Sequence, residues 1–522
     1  MFPGKNLAFG KDAANKLLSG ISKLSLLLAP HIGPETASRA SIISLHKGCL
    51  SEEHVERLAL TNDFEIAGAE MALSLGDSVS ATTGGGGIAS ILLLETILKE
   101  SLEAIQNGAI TEQIIEGLYL GVQQIETELS QKVTPVKDLD KIKALALCSS
   151  RGNDLAAKAI HTAFSSVFPS GFILVESSTE QRPTLNNTHG LRLSIGFSSP
   201  YFISDTSSMS VSMSNPYILI INAKISDLHP FLPLFKKISE TDRDLLIICE
   251  SISSQTLSSL IINRIKNLLR VCVVSPKNPC SFFREELEDA ALFSGTFIIR
   301  QENLPSLCIK TLGRCDQARI FSNKLILIGS NVQPDLHALQ IKRLEENIKH
   351  SANEQEKVFL MRRKKRLSEK VAFIDVFSTE KRSSLDFEAS VKESILSVET
   401  ALESGFVPGG GTSLFYASTS LENLSKNQSD NSVKSGIQAL QRACFIPMSQ
   451  IISNSGFKPE VVIEKLLVLK NPVMGLNGSS EQIEDLIAAG ILDPYRTVME
   501  TLRHSVDLAS LILRSAAVIS KK

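Results

Sequence analysis

Apolar residues recur at steps of three and four over the first 130 residues, which is the spacing of amphipathic helices. Four segments share this pattern: 11–29, 62–80, 89–107 and 111–131. One apolar stripe in the last segment consists of Ile114, Leu118, Val122, Ile125 and Leu129. The first helix is expected to end at the turn 31–34, because its proline cannot continue a helix and its glycine can cap one. The pattern therefore predicts a nearly all-helical N-terminal region.

The pattern changes near residue 170, where short runs of β-branched and apolar residues begin. The predicted strands are GFILVES at 171, YILIINAKI at 217, LLIICES at 245, RVCVVSP at 270, TFIIR at 296 and KLILIGS at 324. Helical patterns alternate with several of them, which is typical of an α/β domain. Helical periodicity returns near 335 and, after a strand-like VAFIDVF at 371, dominates the rest of the chain. This order predicts an α/β part inserted into a helical domain built by both chain ends.

Composition excludes several classes of protein. A chain of 522 residues is long enough for about three domains. Its net charge of −2 implies no overall attraction to nucleic acid or to a membrane surface. No apolar run approaches the roughly 20 residues that cross a bilayer, and tryptophan, a stacking platform for single-stranded nucleic acid, is absent. The eight cysteines form no CxxC pair. We therefore expect a soluble, cytoplasmic protein without nucleic-acid or membrane partners.

A basic run, Arg362 to Arg366, lies near the end of a predicted helix. A nucleic-acid patch would need aromatic or further basic residues nearby, and this neighbourhood lacks them. We therefore interpret the run as a solvated helix face.

Four consecutive glycines, Gly84 to Gly87, precede the helix predicted at 89–107. Glycine accepts positive φ at little cost, and the N–H groups that open a helix point at any anion placed there. No Gly-Lys-Ser/Thr follows the run, so the P-loop pattern is absent. The residues alone leave two interpretations open, a mobile connector and a phosphate nest.

Seven short strings carry a resemblance to a known family. They are FGKDA at Phe9, IGP at Ile32, FEIAGAEM at Phe64, SPYFIS at Ser199, LLIICE at Leu245, PGGGTSL at Pro408 and GILDP at Gly490. In this order they make the chain similar to the group I, GroEL-type chaperonins over essentially its whole length. The resemblance implies a multi-domain α and α/β fold with three domains. These are a helical equatorial domain (1–131 and 404–522), a small intermediate hinge domain (132–188 and 372–403) and an inserted α/β apical domain (189–371).

The same resemblance implies partners and a cofactor. Members of the family form two stacked seven-membered rings, bind unfolded polypeptides, use ATP with Mg²⁺ and work with a lid-forming co-chaperonin. For this chain the ring is expected to be a homo-oligomeric double ring or a mixed ring shared with a paralogue.

The resemblance places a polypeptide-binding groove in the apical domain. The matching positions are all apolar or aromatic: Phe197, Tyr201, Phe202, Leu232, Leu234, Phe235, Leu257, Ile261 and Ile262. Helical steps of three and four separate Leu232 from Phe235 and Leu257 from Ile261, as a helix-lined groove requires. Such a groove would accept many unfolded chains, because apolar contacts are non-directional. Without the resemblance, the same residues could equally fill the α/β core.

The match to the nucleotide site of the family is uneven. Positions that match its nucleotide contacts are Gly33 and Pro34 in a phosphate turn, Gly409 and Gly410 in a second loop, and Asp493 near the base or ribose. Where the family has Asp-Gly-Thr-Thr-Thr, this chain has Gly85, Gly86, Gly87, Ile88 and Ala89. Gly85 thus replaces the carboxylate that holds Mg²⁺, which prefers hard oxygen ligands. The resemblance therefore implies that binding of ATP and Mg²⁺ is weakened or lost, with no residue to assign as a metal ligand.

Two carboxylates match the catalytic part of that site. Glu393 aligns with the water-activating aspartate of the family and is longer by one methylene, while Glu53 replaces an aspartate. Beside Glu53, Glu52 replaces a lysine, which reverses a charge near the expected phosphates. On its helix Glu393 is predicted to point away from the apolar stripe, so it could be a general base or an ordinary solvated carboxylate.

Two functions remain open at this point. The first is a chaperone of the chaperonin class with ATP-dependent folding activity and impaired hydrolysis. The second is an ATPase-deficient scaffold that holds polypeptides or joins mixed rings. Since a positioned general base alone is worth roughly 10² to 10⁴ in rate, the substitutions favour slow turnover.

Overall fold

The structure is a computed structural model that describes residues 5–33, 59–150, 152–168, 171–177, 188–205, 209–241, 243–276, 283–299, 308–330, 334–351, 354–368, 370–376, 381–515 and 517–521. The chain divides into two compact units. The first unit comprises 1–162, 177–181 and 375–522, and the second comprises 163–176 and 182–374. Both chain ends therefore belong to the first unit, as the sequence predicts. The further division into equatorial and hinge domains stays a prediction.

The first unit is mainly helical. Its N-terminal helices are α1 (Gly10–Leu28), α2 (Asp63–Thr83), α3 (Gly87–Gln106), α4 (Thr111–Ser130) and α5 (Leu139–Ser149), and the chain passes into the second unit within α6 (Asp154–Val167). The four predicted N-terminal helices are confirmed. Their apolar stripes are buried: Ile114, Leu118 and Ile125 of α4 are all fully inaccessible to solvent. Local chemistry fixes the start of α2, since the side chain of Asn62 accepts hydrogen bonds from the first turn.

The chain returns to this unit after the α/β insertion. Its helices, numbered after those of the second unit, are α12 (Lys381–Ser404), α13 (Thr412–Ser418), α14 (Leu421–Lys426), α15 (Asn431–Asn454), α16 (Pro459–Leu469) and α17 (Tyr495–Arg514). Helices α15 and α17 share one apolar core with α1–α4. Glycines allow the closest crossing, since a side chain at Gly117 would overlap the backbone of α15 and one at Gly436 would overlap that of α4.

The described part of this unit also contains three two-stranded ribbons. The strands are β1 (Lys5–Phe9), β12 (Phe406–Pro408), β13 (Met474–Asn477), β14 (Gln482–Asp485), β15 (Leu492–Pro494) and β16 (Ala517–Lys521). They pair antiparallel as β1 with β16, β12 with β15 and β13 with β14. The ribbon of β1 and β16 joins the two ends of the chain.

The second unit contains a ten-stranded sheet. Its strands are β2 (Gly171–Ser177), β3 (Thr188–Leu193), β4 (Gly196–Phe197), β5 (Val211–Ser214), β6 (Tyr217–Ile225), β7 (Leu245–Ile252), β8 (Val271–Ser275), β9 (Gly313–Ile320), β10 (Leu325–Ser330) and β11 (Lys370–Val376). The order is β2-β11-β3-β10-β9-β6-β7-β8-β4, and β5 pairs with β9. The prediction of a strand at TFIIR is wrong within the described residues, where only a single bridge joins Ile299 to Ile221.

Helices cover this sheet, and the contacts of one of them show that the interpretation of the basic run 362–366 as a solvated face is wrong for two of its arginines. The helices are α7 (Leu232–Ser239), α8 (Ser254–Ile265), α9 (Phe283–Ser294), α10 (Pro334–His350) and α11 (Glu354–Leu367). Arg363 and Arg366 of α11 do not form a solvated face: they donate to the two oxygens of the buried Asp289 on α9, at 2.6 and 2.9 Å. Burial raises the pKa of Asp289 to about 6 in spite of both guanidinium groups.

Candidate functional site

The glycine run forms the link between α2 and α3. Gly84 ends α2 with φ of 74° and donates its N–H to the Ser80 carbonyl at 2.8 Å, while Gly86 precedes α3 with φ of 83°. Left-handed backbone of this kind costs a residue with a Cβ about 1–2 kcal/mol. The link is therefore an ordered turn with two left-handed positions rather than a connector without fixed conformation.

Close packing explains three of the four glycines. A Cβ at Gly84 would overlap backbone atoms of Glu393 and Ser397 on α12, and one at Gly86 would overlap the Thr501 hydroxyl on α17. At Gly87 it would lie 2.5 Å from the Ser80 hydroxyl and 2.7 Å from the Gly76 carbonyl. Gly85 differs, because the nearest atom to its Cβ would be a Thr497 methyl carbon at 3.9 Å. A side chain is thus excluded at three positions and has room at Gly85.

The same turn presents a row of N–H groups. Within the described chain, the N–H groups of residues 85–89 donate to no protein acceptor. The first N–H group of α3 that forms a helical hydrogen bond is that of Ser90, which donates to the Gly86 carbonyl at 2.9 Å. Successive free N–H groups around a left-handed residue form a nest for an anion, and the positive end of the α3 dipole adds to it. The arrangement can hold a phosphate through the backbone alone.

A second group of predicted contacts lies along α15. Asn454 donates through Nδ2 to the carbonyls of Ala29 and Ile32, at 2.9 and 2.7 Å, and so holds the turn that ends in Gly33. Gly411, with φ of 73°, lies so close to the backbone of Met448 that its Cβ would be 2.7 Å from that N atom. The turn 29–31 also contacts α3. The structure therefore brings the Gly33 turn, the loop 409–411 and the helix after the glycine run together.

Asp493 lies next to the 409–411 loop. It pairs with Val407 in the ribbon of β12 and β15, and Gly409 donates its N–H to the Ile491 carbonyl at 3.0 Å. Gly410 is left-handed with φ of 65°, and the nearest atom to a Cβ there would be the Thr412 hydroxyl oxygen at 4.0 Å. Burial raises the pKa of Asp493 to about 6, so the carboxyl group accepts or donates hydrogen bonds according to pH near neutrality.

The sequence analysis missed two groups around this site. Thr412 opens α13 directly after the glycines, and a Cβ at Gly475 of β13 would lie 2.6 Å from its hydroxyl, so the β13–β14 ribbon closes one side of the loop. The PGGGTSL string already contained Thr412. On the other side, the Thr501 hydroxyl is buried without a hydrogen-bond partner in the described chain. No local pattern signals Thr501, because more than 400 residues of sequence separate it from the turn it packs against.

Of the two candidate catalytic residues, the described part of the chain includes Glu393. Glu393 has an exposed side chain on α12, and its backbone carbonyl is the atom that Gly84 approaches, so it lies beside the glycine run. Glu53 and the phosphate-turn residue Pro34 lie outside the described residues. Among the residues that the structure describes, no three His, Cys, Asp or Glu side chains are grouped as metal ligands would be.

The predicted polypeptide groove lies on the second unit. Strands β6, β7 and β8 are parallel neighbours, joined through α7 and then α8. Parallel crossovers are right-handed in about 98% of cases, so both helices cover the same face of the sheet. The Thr256 hydroxyl of α8 donates to the Ser226 carbonyl at 2.9 Å, which anchors α8 at the end of β6, where the chain turns toward α7. The two helices are therefore neighbours.

The nine predicted groove residues divide by exposure. Three are exposed: Tyr201 by 73%, and Leu232 and Ile262 by 51% each. Leu257 and Ile261 are half-buried. The remaining four are buried in the core beneath: Phe197, Phe202, Leu234 and Phe235. Only the exposed and half-buried members are accessible to another chain in this structure.

Arg264 fixes the segment that carries Tyr201. Its guanidinium donates to the carbonyls of Phe202 and Val271, both at 2.8 Å, and lies over the Phe202 ring at 5.8 Å. These contacts hold the turn Pro200–Phe202 against α8. Tyr201 is thereby kept beside the exposed face of α8.

A helical unit with an anion nest and an inserted α/β unit with two exposed apolar helices together define a chaperonin-type architecture. A model described as the TCP-1/cpn60 chaperonin family matches residues 61–522, and the chain belongs to this family. Chaperonins bind unfolded substrates and form oligomeric rings, so membership supports a chaperone function. None of the helices in the described part of the chain combines the length and hydropathy that crossing a bilayer requires.

Individual relatives agree with the family assignment. The chain is 28% identical to Chaperonin GroEL 3 of Protochlamydia amoebophila (strain UWE25) over 523 aligned residues, 99% of this chain and 97% of the relative. Its fold is similar to that of the chaperonin gp146 from the bacteriophage EL 2 (Pseudomonas aeruginosa), solved with ATP-BeFx in two crystal forms. The TM-scores are 0.76 for form II and 0.66 for form I, each at 16% identity and 99% coverage of both chains. The predicted GroEL-type fold is thus confirmed.

Proposed function

We propose that this chain is a chaperone that captures apolar segments of non-native polypeptides on α7 and α8, and that it binds ATP at the start of α3 but hydrolyses it slowly. The proposed capture function rests on the exposure of two large apolar side chains, Leu232 and Ile262, on two neighbouring helices. Exposed apolar clusters on a folded protein mark interaction sites.

The size of this surface suits reversible capture. Complete burial of one large apolar side chain contributes about 1.5–3 kcal/mol, and the exposed residues Tyr201, Leu232 and Ile262 are still half to three-quarters accessible. Their burial under a client would contribute roughly 3–5 kcal/mol before the costs of association. One groove alone would therefore bind weakly, and several grooves in a ring would act together on one client.

The residues around the glycine run fit the phosphates of ATP. The free N–H groups of residues 85–89 and the α3 dipole suit an anion, and Asp493 lies beside the second glycine loop, where a ribose or base would be held. Bound ATP would supply the energy difference between open and closed states of a chaperonin cycle. These observations support nucleotide binding as part of the proposal.

The same residues do not fit a protein-held Mg²⁺. Gly85, where the family has its metal-binding aspartate, offers no side-chain oxygen, and residues 87–89 lack hydroxyls. Hydrolysis at this site is therefore proposed to proceed without a metal ion held by the protein. The remaining candidate, Glu393, is an exposed carboxylate beside the turn and could orient or deprotonate a water. With these groups missing, hydrolysis is expected to be slower by about 10² or more.

The test of capture is suppression of aggregation of a chemically unfolded client with no nucleotide present. The double substitution Leu232→Ser and Ile262→Ser should abolish most of the activity, because it removes one exposed apolar groove contact from each helix without touching the core. Leu155→Ser is the matched control, since Leu155 is 74% exposed on α6 and lies outside the groove. Equal activity of the double variant and the control would refute the groove.

A second candidate is a holding subunit in mixed rings with a paralogue that turns ATP over, under a shared co-chaperonin lid. The glycine at position 85 favours it, because a ring can tolerate a slow site when its neighbours supply turnover. Native mass measurement of rings purified through a tag on this chain tests it. Two masses per ring support the mixed assembly, and a single mass equal to a multiple of this chain excludes it.

A further inference from the structure

Each helix of the groove carries a lysine one turn after its exposed apolar residue. On α7, Lys236 follows Leu232, and at the end of α8, Lys266 follows Ile262. Residues four apart lie on the same face of a helix. Both lysines are exposed, as are the two apolar residues. An apolar side chain and an ammonium group are therefore adjacent on the outer face of both helices.

The two helices lack negative charge. Neither α7 nor the segment 253–270, which contains α8, has an Asp or Glu, and the latter also contributes Arg264 and Arg270. The nearest carboxylates along the chain are Asp227 and Glu240 around α7 and Glu250 before α8. Glu240 is exposed and directly follows α7, four residues after Lys236, so it is the one carboxylate near this lysine along the helix. In the part of the chain that the structure describes, neither lysine forms an ion pair. The ammonium groups are thus available to a partner.

Both lysines lie at the C-terminal end of a helix, where they interact with the helix dipole and stay accessible to other charges. Lys236 lies in the last turn of α7, and Lys266 follows the last residue of α8, where a cation interacts favourably with the helix dipole. That interaction acts along the helix axis and leaves the exposed ammonium group free to approach another charge.

We propose that the groove prefers apolar segments flanked by acidic residues, with Leu232, Ile262 and Tyr201 contacting the apolar part and Lys236 and Lys266 contacting the carboxylates. This specificity rests on the proposed capture function. Exposed ion pairs are individually weak and are screened by salt. The affinity for a segment with acidic flanks is therefore expected to be about five times that for one with uncharged flanks at low ionic strength, and the difference should disappear at high ionic strength.

The probe is a short fluorescent peptide with one fixed apolar core and flanks of either Glu, Gln or Lys. Fluorescence anisotropy with the full chain, at about 0.05 M and about 0.5 M salt, should give the affinity order Glu, Gln, Lys at low salt only. The double variant Lys236→Gln and Lys266→Gln should bind all three peptides equally. The double variant Lys342→Gln and Lys349→Gln on α10, where both lysines are also exposed, is the charge-matched control and should keep the order.

The outcomes separate this inference from the capture function. If all three peptides bind with equal affinity at low salt and Ile262→Ser weakens them all, the groove stands and the acidic preference is refuted. If the Lys-flanked peptide binds best, the charge argument is also wrong. If no peptide binds in any condition, the groove itself fails, and this inference fails with it.

Discussion

The substitution Gly85→Asp is expected to raise the rate of ATP hydrolysis. It introduces a carboxylate at the position that the family resemblance matches to the Mg²⁺ ligand of the chaperonins. The local structure accepts it, because Gly85 has no positive φ and a Cβ there would meet only a Thr497 methyl carbon at 3.9 Å. Neighbouring Gly84 and Gly86 could not be replaced in this way, since both are left-handed and enclosed by other atoms.

The size of the expected rate increase depends on the carboxylate that the variant introduces and on the hydroxyls that stay absent. Replacing a glycine at a φ that other residues adopt changes stability by no more than about 1 kcal/mol, and in the favourable direction. Electrostatic groups aimed at a reacting phosphoryl group are worth about 10² to 10³ in rate. Because the hydroxyls absent at residues 87–89 stay absent, we expect a smaller effect than that range, a rise of about tenfold.

The assay is steady-state phosphate release as a function of Mg²⁺ concentration. Gly85→Asn is the matched control, because it has the same shape without the charge and should keep the slow wild-type rate. Nucleotide affinity, measured separately, should change little in the Asn variant. If the Asp variant is folded, binds ATP and still hydrolyses it no faster than the Asn variant, Gly85 does not occupy the metal position.

Three further predictions concern stability. Gly86→Ala should lower the free energy of unfolding by about 2–3 kcal/mol through left-handed backbone and overlap with Thr501, and an unchanged melting temperature would refute the packing described for the turn. Although burial raises the pKa of Glu65, hydrogen bonds led by that from Lys23 lower it to about 2. The stabilisation of the fold by Glu65 is therefore present above about pH 4.5 and is lost as the pH falls toward 2. In the variant Glu65→Gln, the urea midpoint of unfolding should vary less with pH over this range. Asp289→Asn should destabilise the second unit by about 3–5 kcal/mol in chemical denaturation, because two partly buried arginines lose the buried carboxylate that they share and keep only Glu288 and Glu286. A loss below about 1 kcal/mol would contradict this.

Local periodicity predicted the elements that are amphipathic over a long stretch. Helices α1 to α4 agree with the prediction to within a few residues, because their apolar stripes face one core. The short run TFIIR failed as a strand, since an apolar run of that length does not determine whether a neighbouring strand is available to pair with it. Arg363 was misinterpreted for a similar reason, because its partner Asp289 lies 74 residues away.

The candidate site depended on information that no local pattern contains. The family resemblance alone assigned Gly33, Gly409 and Asp493 to one nucleotide site, which stays a prediction. In the structure Gly33 lies against Ile451 of α15, and Asp493 lies in the β12–β15 ribbon beside Gly409. The reason for the glycine run was not predictable, since the atoms that exclude side chains at Gly84 and Gly86 belong to helices hundreds of residues later in the chain. Exposure in the groove was also unpredictable, because apolar residues on a short helix serve a core and a binding surface equally well.

The most direct test of the account is a single-turnover experiment on the purified wild-type chain, in which bound nucleotide and released phosphate are measured in the same sample. The account predicts that ATP is retained on the protein with Mg²⁺ present and that phosphate appears at least about 10² more slowly than from a chaperonin with Asp at the position of Gly85. Hydrolysis within about tenfold of that chaperonin would contradict the claim that this site binds ATP but turns it over slowly.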